Sequence, residues 1–160
     1  MKIRSMAVAL ACAATILRWA GPIPTLRIYD ASDLVLATIL VPDGFGLSFI
    51  HSINLSPVDE DFSVQNDGSI MLERVVFDQM STGMPSGDEN GFRILDGRFC
   101  TTPLLRLPEI GVRVSPVPGH VLRVRGTTQP LTRWAPISGL LVFRAAPHYV
   151  VAATHEDDPG

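Results

Sequence analysis

From residue 26 onward, short apolar or alternating runs are broken at close intervals by Gly, Pro, Asn and Asp, the pattern of brief strands joined by tight turns. Strands are predicted over residues 26–29, 34–41, 46–53, 58–64 and 69–77, and shorter ones over 92–95, 99–102, 111–115, 120–125, 140–144 and 149–153. Asp30-Ala31-Ser32-Asp33 and Pro42-Asp43-Gly44 read as turns. Gln65-Asn66-Asp67-Gly68 reads as a hairpin turn, where Asp67 and Gly68 accept positive φ at little cost. Within 69–77 the alternation changes phase near Val75, which predicts a bulge. Over 120–125 it is regular: His120, Leu122 and Val124 share one side, Val121, Arg123 and Arg125 the other. Residues 81–91 form a loop rich in Gly, Pro and acids, and 13 Pro and 13 Gly leave little room for long helices. The fold class expected is all-β: a single antiparallel β-sandwich or barrel-like domain of about ten short strands over residues 23–154, with 155–160 as a frayed tail.

Residues 1–22 follow a different pattern. Lys2 and Arg4 precede the small and apolar stretch 6–17, which ends at Arg18, Trp19, Gly21 and Pro22. Twelve helical residues rise about 18 Å, short of the ~30 Å hydrocarbon core, so a signal peptide fits better than a full span. The cleavage sites on offer, Ala9-Leu10-Ala11, Ala11-Cys12-Ala13 and Arg18-Trp19-Ala20, are each imperfect, which keeps an uncleaved anchor reaching Ile23 as the alternative. Ala9-Leu10-Ala11-Cys12 has a faint lipoprotein-box character but lacks the usual Leu three residues before the Cys. Either way the expected location is the periplasm or the extracytoplasmic side of the inner membrane.

Composition agrees with a folded domain. Charged residues make up 18% of the chain against a usual ~25%, and mean hydropathy is +0.25. Charge is unevenly placed: residues 30–97 hold 12 acids and 2 Arg, whereas 98–155 hold 7 Arg and only Glu109. Two explanations stand. The halves pack with complementary charge, or Arg106, Arg113, Arg123 and Arg125, with Arg98 and Arg133, build an anion-binding face. Nucleic acid is a poor partner, because the net charge is -3 and no basic run is interleaved with aromatics. Outside the leader the one cysteine is Cys100, which cannot form an internal disulfide and reads as a small core residue rather than a nucleophile.

Three stretches together resemble a bacterial family, domain of unknown function 1850: Phe49-Ile50-His51-Ser52-Ile53 continuing to Pro57-Val58-Asp59-Glu60; Phe77 through Gly83-Met84-Pro85; and His120-Val121-Leu122. Ile53 stands where the family usually has Val, and Ser81 where it usually has the first Gly of a turn. The resemblance implies an exported accessory protein encoded beside TRAP-type transporters that use TAXI-class receptors, so that a permease or solute receptor is the partner expected. It implies no catalysis and no residue roles.

The residues that carry chemistry are few. His51, Glu60 and His120 suit an acid–base pair or an open zinc site, or a buried His satisfied by a carboxylate that pins a hairpin register. Pairing 58–64 with 46–53 would make His51 and Glu60 neighbours across the turn. Ser52 falls on the opposite strand face from His51, a poor nucleophile–base geometry. Gly83, Met84 and Pro85 read as a turn whose Met is an apolar tip, or as plain turn chemistry. No CxxC, HExxH or calcium-loop motif is present, so no metal, cofactor or enzyme activity is expected. A small-ligand module using the arginines is the alternative to an accessory role, and a hydrolase built on His51 and Glu60 is a third class.

Overall fold

The computed structural model describes residues 23–80, 91–117 and 119–148, with only the backbone of 147 and 148. The leader 1–22, most of the loop 81–91 with Gly83, Met84 and Pro85, the strand expected at 149–153 and the tail 155–160 lie outside the described residues. The strands are β1 Ile23–Tyr29, β2 Val35–Leu40, β3 Phe45–Ile50, β4 Pro57–Val64, β5 Ile70–Phe77, β6 Arg93–Leu95, β7 Arg98–Thr101, β8 Leu105–Leu107, β9 Ile110–Arg113, β10 Val121–Val124, β11 Thr127–Pro130 and β12 Leu140–His148. A 3₁₀ turn, Leu131–Arg133, precedes β12.

Two antiparallel sheets form a sandwich, not a closed barrel. The smaller has the order β2-β1-β12-β9. The larger runs β11-β10-β3-β4-β5-β7-β6, and β8 pairs with the first half of β5. Alternation sets which side chains meet between them. Leu26 and Ile28 of β1 and Leu141 and Phe143 of β12 face Phe45 and Leu47 of β3, Phe62 of β4, and Leu122 and Val124 of β10, all buried in one cluster. A second, smaller cluster, Val58, Val75 and Phe77 with Phe49, Phe92 and Phe99, lies farther along the inner face of the larger sheet.

The turns carry much of the register. Asp30 Oδ1 accepts from the Ser32 and Leu34 amides and the Ser32 hydroxyl, closing the β1–β2 turn. Gln65 and Ser69 close the β4–β5 hairpin, with Gly68 at φ 81 supplying the left-handed position that the sequence assigned to Asp67 and Gly68 together. The expected bulge is present but sits at Glu73: Asp61 pairs with Arg74, and Phe62 with Leu72.

Two strands were not expected. β11 is polar and short, recruited by the Arg125-Gly126 turn, where both residues have positive φ. β8 is a three-residue segment between Pro103 and Pro108. The strand predicted to end at Arg144 continues to His148 through Pro147. That proline lies beyond the stretch paired with β9, so its missing N–H removes nothing from that ladder.

Gly44 makes the crossing from the smaller sheet to the larger. It sits at φ 82, and a Cβ there would overlap the Phe62 carbonyl oxygen. Gly44→Ala is expected to destabilise the domain by about 1–3 kcal/mol in denaturant melts. A cost near zero would mean that the crossing tolerates a different path.

Candidate functional site

The outer face of the larger sheet carries a connected set of charges. Its central row runs across four strands, since Arg123 pairs in register with Gly46, Gly46 with Asp61, and Asp61 with Arg74. With no side chain at Gly46, the Arg123 guanidinium lies across β3; a Cβ there would come 2.5 Å from Nη2 and 2.6 Å from Cζ. Arg123 Nη2 thereby reaches Asp61 Oδ1 at 2.9 Å and the Glu60 carbonyl at 3.3 Å. From the other side Arg74 donates Nε to Asp61 Oδ2 at 2.7 Å. The Nε of Arg123 is buried with no hydrogen-bond partner.

A second row sits one pleat along. The Ser48 hydroxyl donates to Asp59 at 2.5 Å, and Arg98 bridges Asp59, at 2.7 Å, to Asp78. Burial pulls the Asp59 carboxyl up, but the Ser48 hydroxyl, Arg98 and Arg123 outweigh it and hold the group below the usual carboxylate range. A trough of about 620 Å³ opens along the central row, lined by Gly44, Gly46, Asp61, Arg74, Arg123 and Arg125.

These contacts decide between the two explanations of the charge asymmetry. Arg98 pairs with Asp59 and Asp78, Arg106 with Asp67, Arg123 with Asp61, and Arg144 with Asp33 and Glu109. Arg113 donates to the Ser138 carbonyl. Arg123 and Arg125 share the trough, whereas Arg106 and Arg113 do not line it. The four candidate arginines therefore do not converge on one anion, and the two halves of the chain pack with complementary charge. Arg74, Asp59 and Asp61 are central to this face and were not singled out from the sequence, because neither their spacing nor their type distinguishes them from ordinary surface charges.

The hairpin expected around His51 forms, but its register separates the pair proposed from it. Ile50 lies opposite Pro57 and Leu47 opposite Glu60, so His51 ends up against Ser56, to whose carbonyl it donates its backbone N–H. The His51 ring accepts weakly from the Ile53 amide at 3.4 Å. Ser52 is exposed in the turn. Glu60 instead occupies the inner face between Leu47 and Val75, and burial alone pushes its carboxyl up to about 6. His120 is half-buried, with Nδ1 accepting from the Ser115 amide at 3.1 Å and its ring edge-on to Phe49; burial lowers its pKa. Among the described residues no three of His, Cys, Asp and Glu gather closely enough to hold a metal ion. Cys100 is fully buried, at the register position between Val76 and Arg93.

The model of a family described as domain of unknown function (DUF1850) matches residues 45–131. The chain belongs to that family. The matched span holds every strand of the larger sheet and, of the smaller sheet, only β9, so the charged face and Glu60 both lie within the DUF1850 region. Comparison with curated proteins gave no match, nor did comparison with solved structures.

Glu60 gives a pH test with a definite sign. Its folded pKa is raised, so its contribution to stability is full below the unfolded value near 4.5 and is lost as pH rises through about 6. Glu60→Gln should therefore stabilise the domain by about 1–2 kcal/mol at pH 7, and the difference from wild type should vanish below the unfolded pKa. A Glu60→Gln protein that is less stable at pH 7 would show that the carboxylate has a partner. Asp59 and His120, both lowered, lose stability in the opposite direction, as pH falls, so the comparison is made between the two proteins at each pH.

Proposed function

We propose that this DUF1850 protein is a non-enzymatic accessory module on the periplasmic side of the inner membrane, delivered by residues 1–22 and working with a TRAP-type solute transporter through its permease or its solute receptor. The basic start and apolar stretch of residues 1–17 is the observation that carries the location. The transporter association rests on what the family resemblance of residues 49–60, 77–85 and 120–122 implies. An accessory role rather than a chemical one is supported by the separation of His51, Glu60 and His120: His51 and His120 each accept from a nearby backbone amide, and Glu60 stands apart between Leu47 and Val75.

A reporter that is active only outside the cytoplasm, fused after Gly160, should be active, and should lose activity when residues 1–20 are deleted. Activity confined to a cytoplasmic reporter would refute the location. The transporter half is tested separately. The tagged full chain, solubilised in mild detergent, should retain the TRAP permease or receptor, and its recovery without either would refute that half alone.

A further inference from the structure

The guanidinium groups at the centre of the charged face already hold acids. Arg74 and Arg123 share Asp61, and Arg98 bridges Asp59 and Asp78. Arg125 differs. It is exposed and lines the trough, yet its side chain makes no ion pair or hydrogen bond among the described residues. Its backbone is also held at a cost. Arg125 and Gly126 form the two-residue β10–β11 turn at φ 49 and φ 74, a turn that Asn-Gly makes most easily. A long charged side chain kept in a left-handed conformation, with its charge unpaired, points to contact with something outside the chain.

Acids stand unpaired along the same trough. Asp43 and Glu73 both line it and are exposed, and neither forms an ion pair among the described residues; Glu73 accepts from the Ser63 hydroxyl at 2.5 Å. Strand register separates these charges. The pairing that sets Arg123 opposite Gly46 carries Arg125 to the level of Gly44, on one side of β3. On the other side a Cβ at Gly44 would lie 3.6 Å from Ser63 Cα, and Glu73 is beyond Ser63 on β5. β10 and β5 are three strand spacings apart, about 14 Å, with β3 and β4 between them. Opposite charges therefore face one trough without reaching each other.

We propose that the trough binds a small zwitterion, an ammonium and a carboxylate on one short frame, with the carboxylate on Arg125 and the Thr128 hydroxyl and the ammonium on Asp43 or Glu73. Each end then makes charge-assisted hydrogen bonds, the carboxylate to a guanidinium fork and the ammonium to a carboxylate. The lining selects for both signs at once. A pure anion meets Asp43 and Glu73, a pure cation meets Arg123 and Arg125, and a neutral ligand leaves all of them unpaired. A volume of about 620 Å³ lies in the range of small-molecule sites and holds a free amino acid or a peptide of two or three residues. An amino acid spans Arg125 to Asp43, whereas only a peptide extends to Glu73. The site does not depend on the transporter reading.

The test titrates the purified full chain, in mild detergent, with L-alanine and with tri-L-alanine by calorimetry. Saturable binding of at least one of them by about 10 mM is expected. Capping either end should weaken the bound probe by about tenfold or more: acetylation removes the ammonium and amidation the carboxylate. Arg125→Gln should cost a similar factor. Asp43→Asn should weaken L-alanine, and Glu73→Gln should weaken the tripeptide, which tells the two ligand sources apart. All three side chains are exposed, so the melting temperatures should stay close to wild type. No saturable heat with either probe, capped probes that bind as well as the free ones, or an Arg125→Gln variant that binds like wild type would each overturn the proposal.

Discussion

The outer face of the larger sheet depends on one accommodation: Arg123 must cross a neighbouring strand to find its charge partner. Strands lie about 4.8 Å apart, and a side chain at position 46 would fill the space that the guanidinium needs. Glycine there leaves the path open at the cost of a weaker strand. With the path open, Asp61 accepts from Arg123 on one side and Arg74 on the other, so β10, β3, β4 and β5 are tied by one charged row. The second row, from Ser48 through Asp59 to Arg98 and Asp78, extends the tie to β7. Each such pair is partly exposed and contributes little alone; as a connected row the pairs fix how the strands sit beside one another.

The inner face obeys the opposite requirement, and Glu60 is the exception to it. Leu47, Phe62, Leu122 and Val124 face the smaller sheet and pack without polar atoms. Glu60 sits in the row between Leu47 and Val75 with its carboxyl raised by burial, so it opposes stability at neutral pH rather than supporting it. Thr101, in register with Val75 on the same face, has a buried hydroxyl oxygen with no partner. An unpartnered hydroxyl beside a carboxyl raised by burial departs from the rule that buried polar groups are bonded, and both residues lie inside the DUF1850 span.

Much of this architecture was legible in the sequence. Alternation located β5 and β10 and split the two sides of β10 correctly, and the Asp30, Asp43-Gly44 and Asp67-Gly68 signals placed three turns, because local chemistry decides such features. What failed was long-range. Two brief strands, β8 and β11, exist because neighbours offer them a ladder, and their own residues announce nothing. The His51–Glu60 pairing followed from a correct hairpin but lacked its register: with Ile50 opposite Pro57, position 60 must fall opposite Leu47. Complementary charge between the halves was readable as an asymmetry, yet the partner of each arginine was not, since it depends on strand order. Gly46 gave no signal at all, being one glycine among 13.

The dependence of Arg123 on Gly46 is measured most directly by a double-mutant cycle on chemical denaturation. Gly46→Ala alone should cost about 1–2 kcal/mol, because the new methyl displaces the guanidinium from Asp61. In an Arg123→Ala background the same substitution meets no guanidinium and should be neutral or stabilising, as alanine is in a strand relative to glycine. An equal cost in both backgrounds would contradict the account, because it would place the need for glycine in the backbone of β3 and not in the path of Arg123.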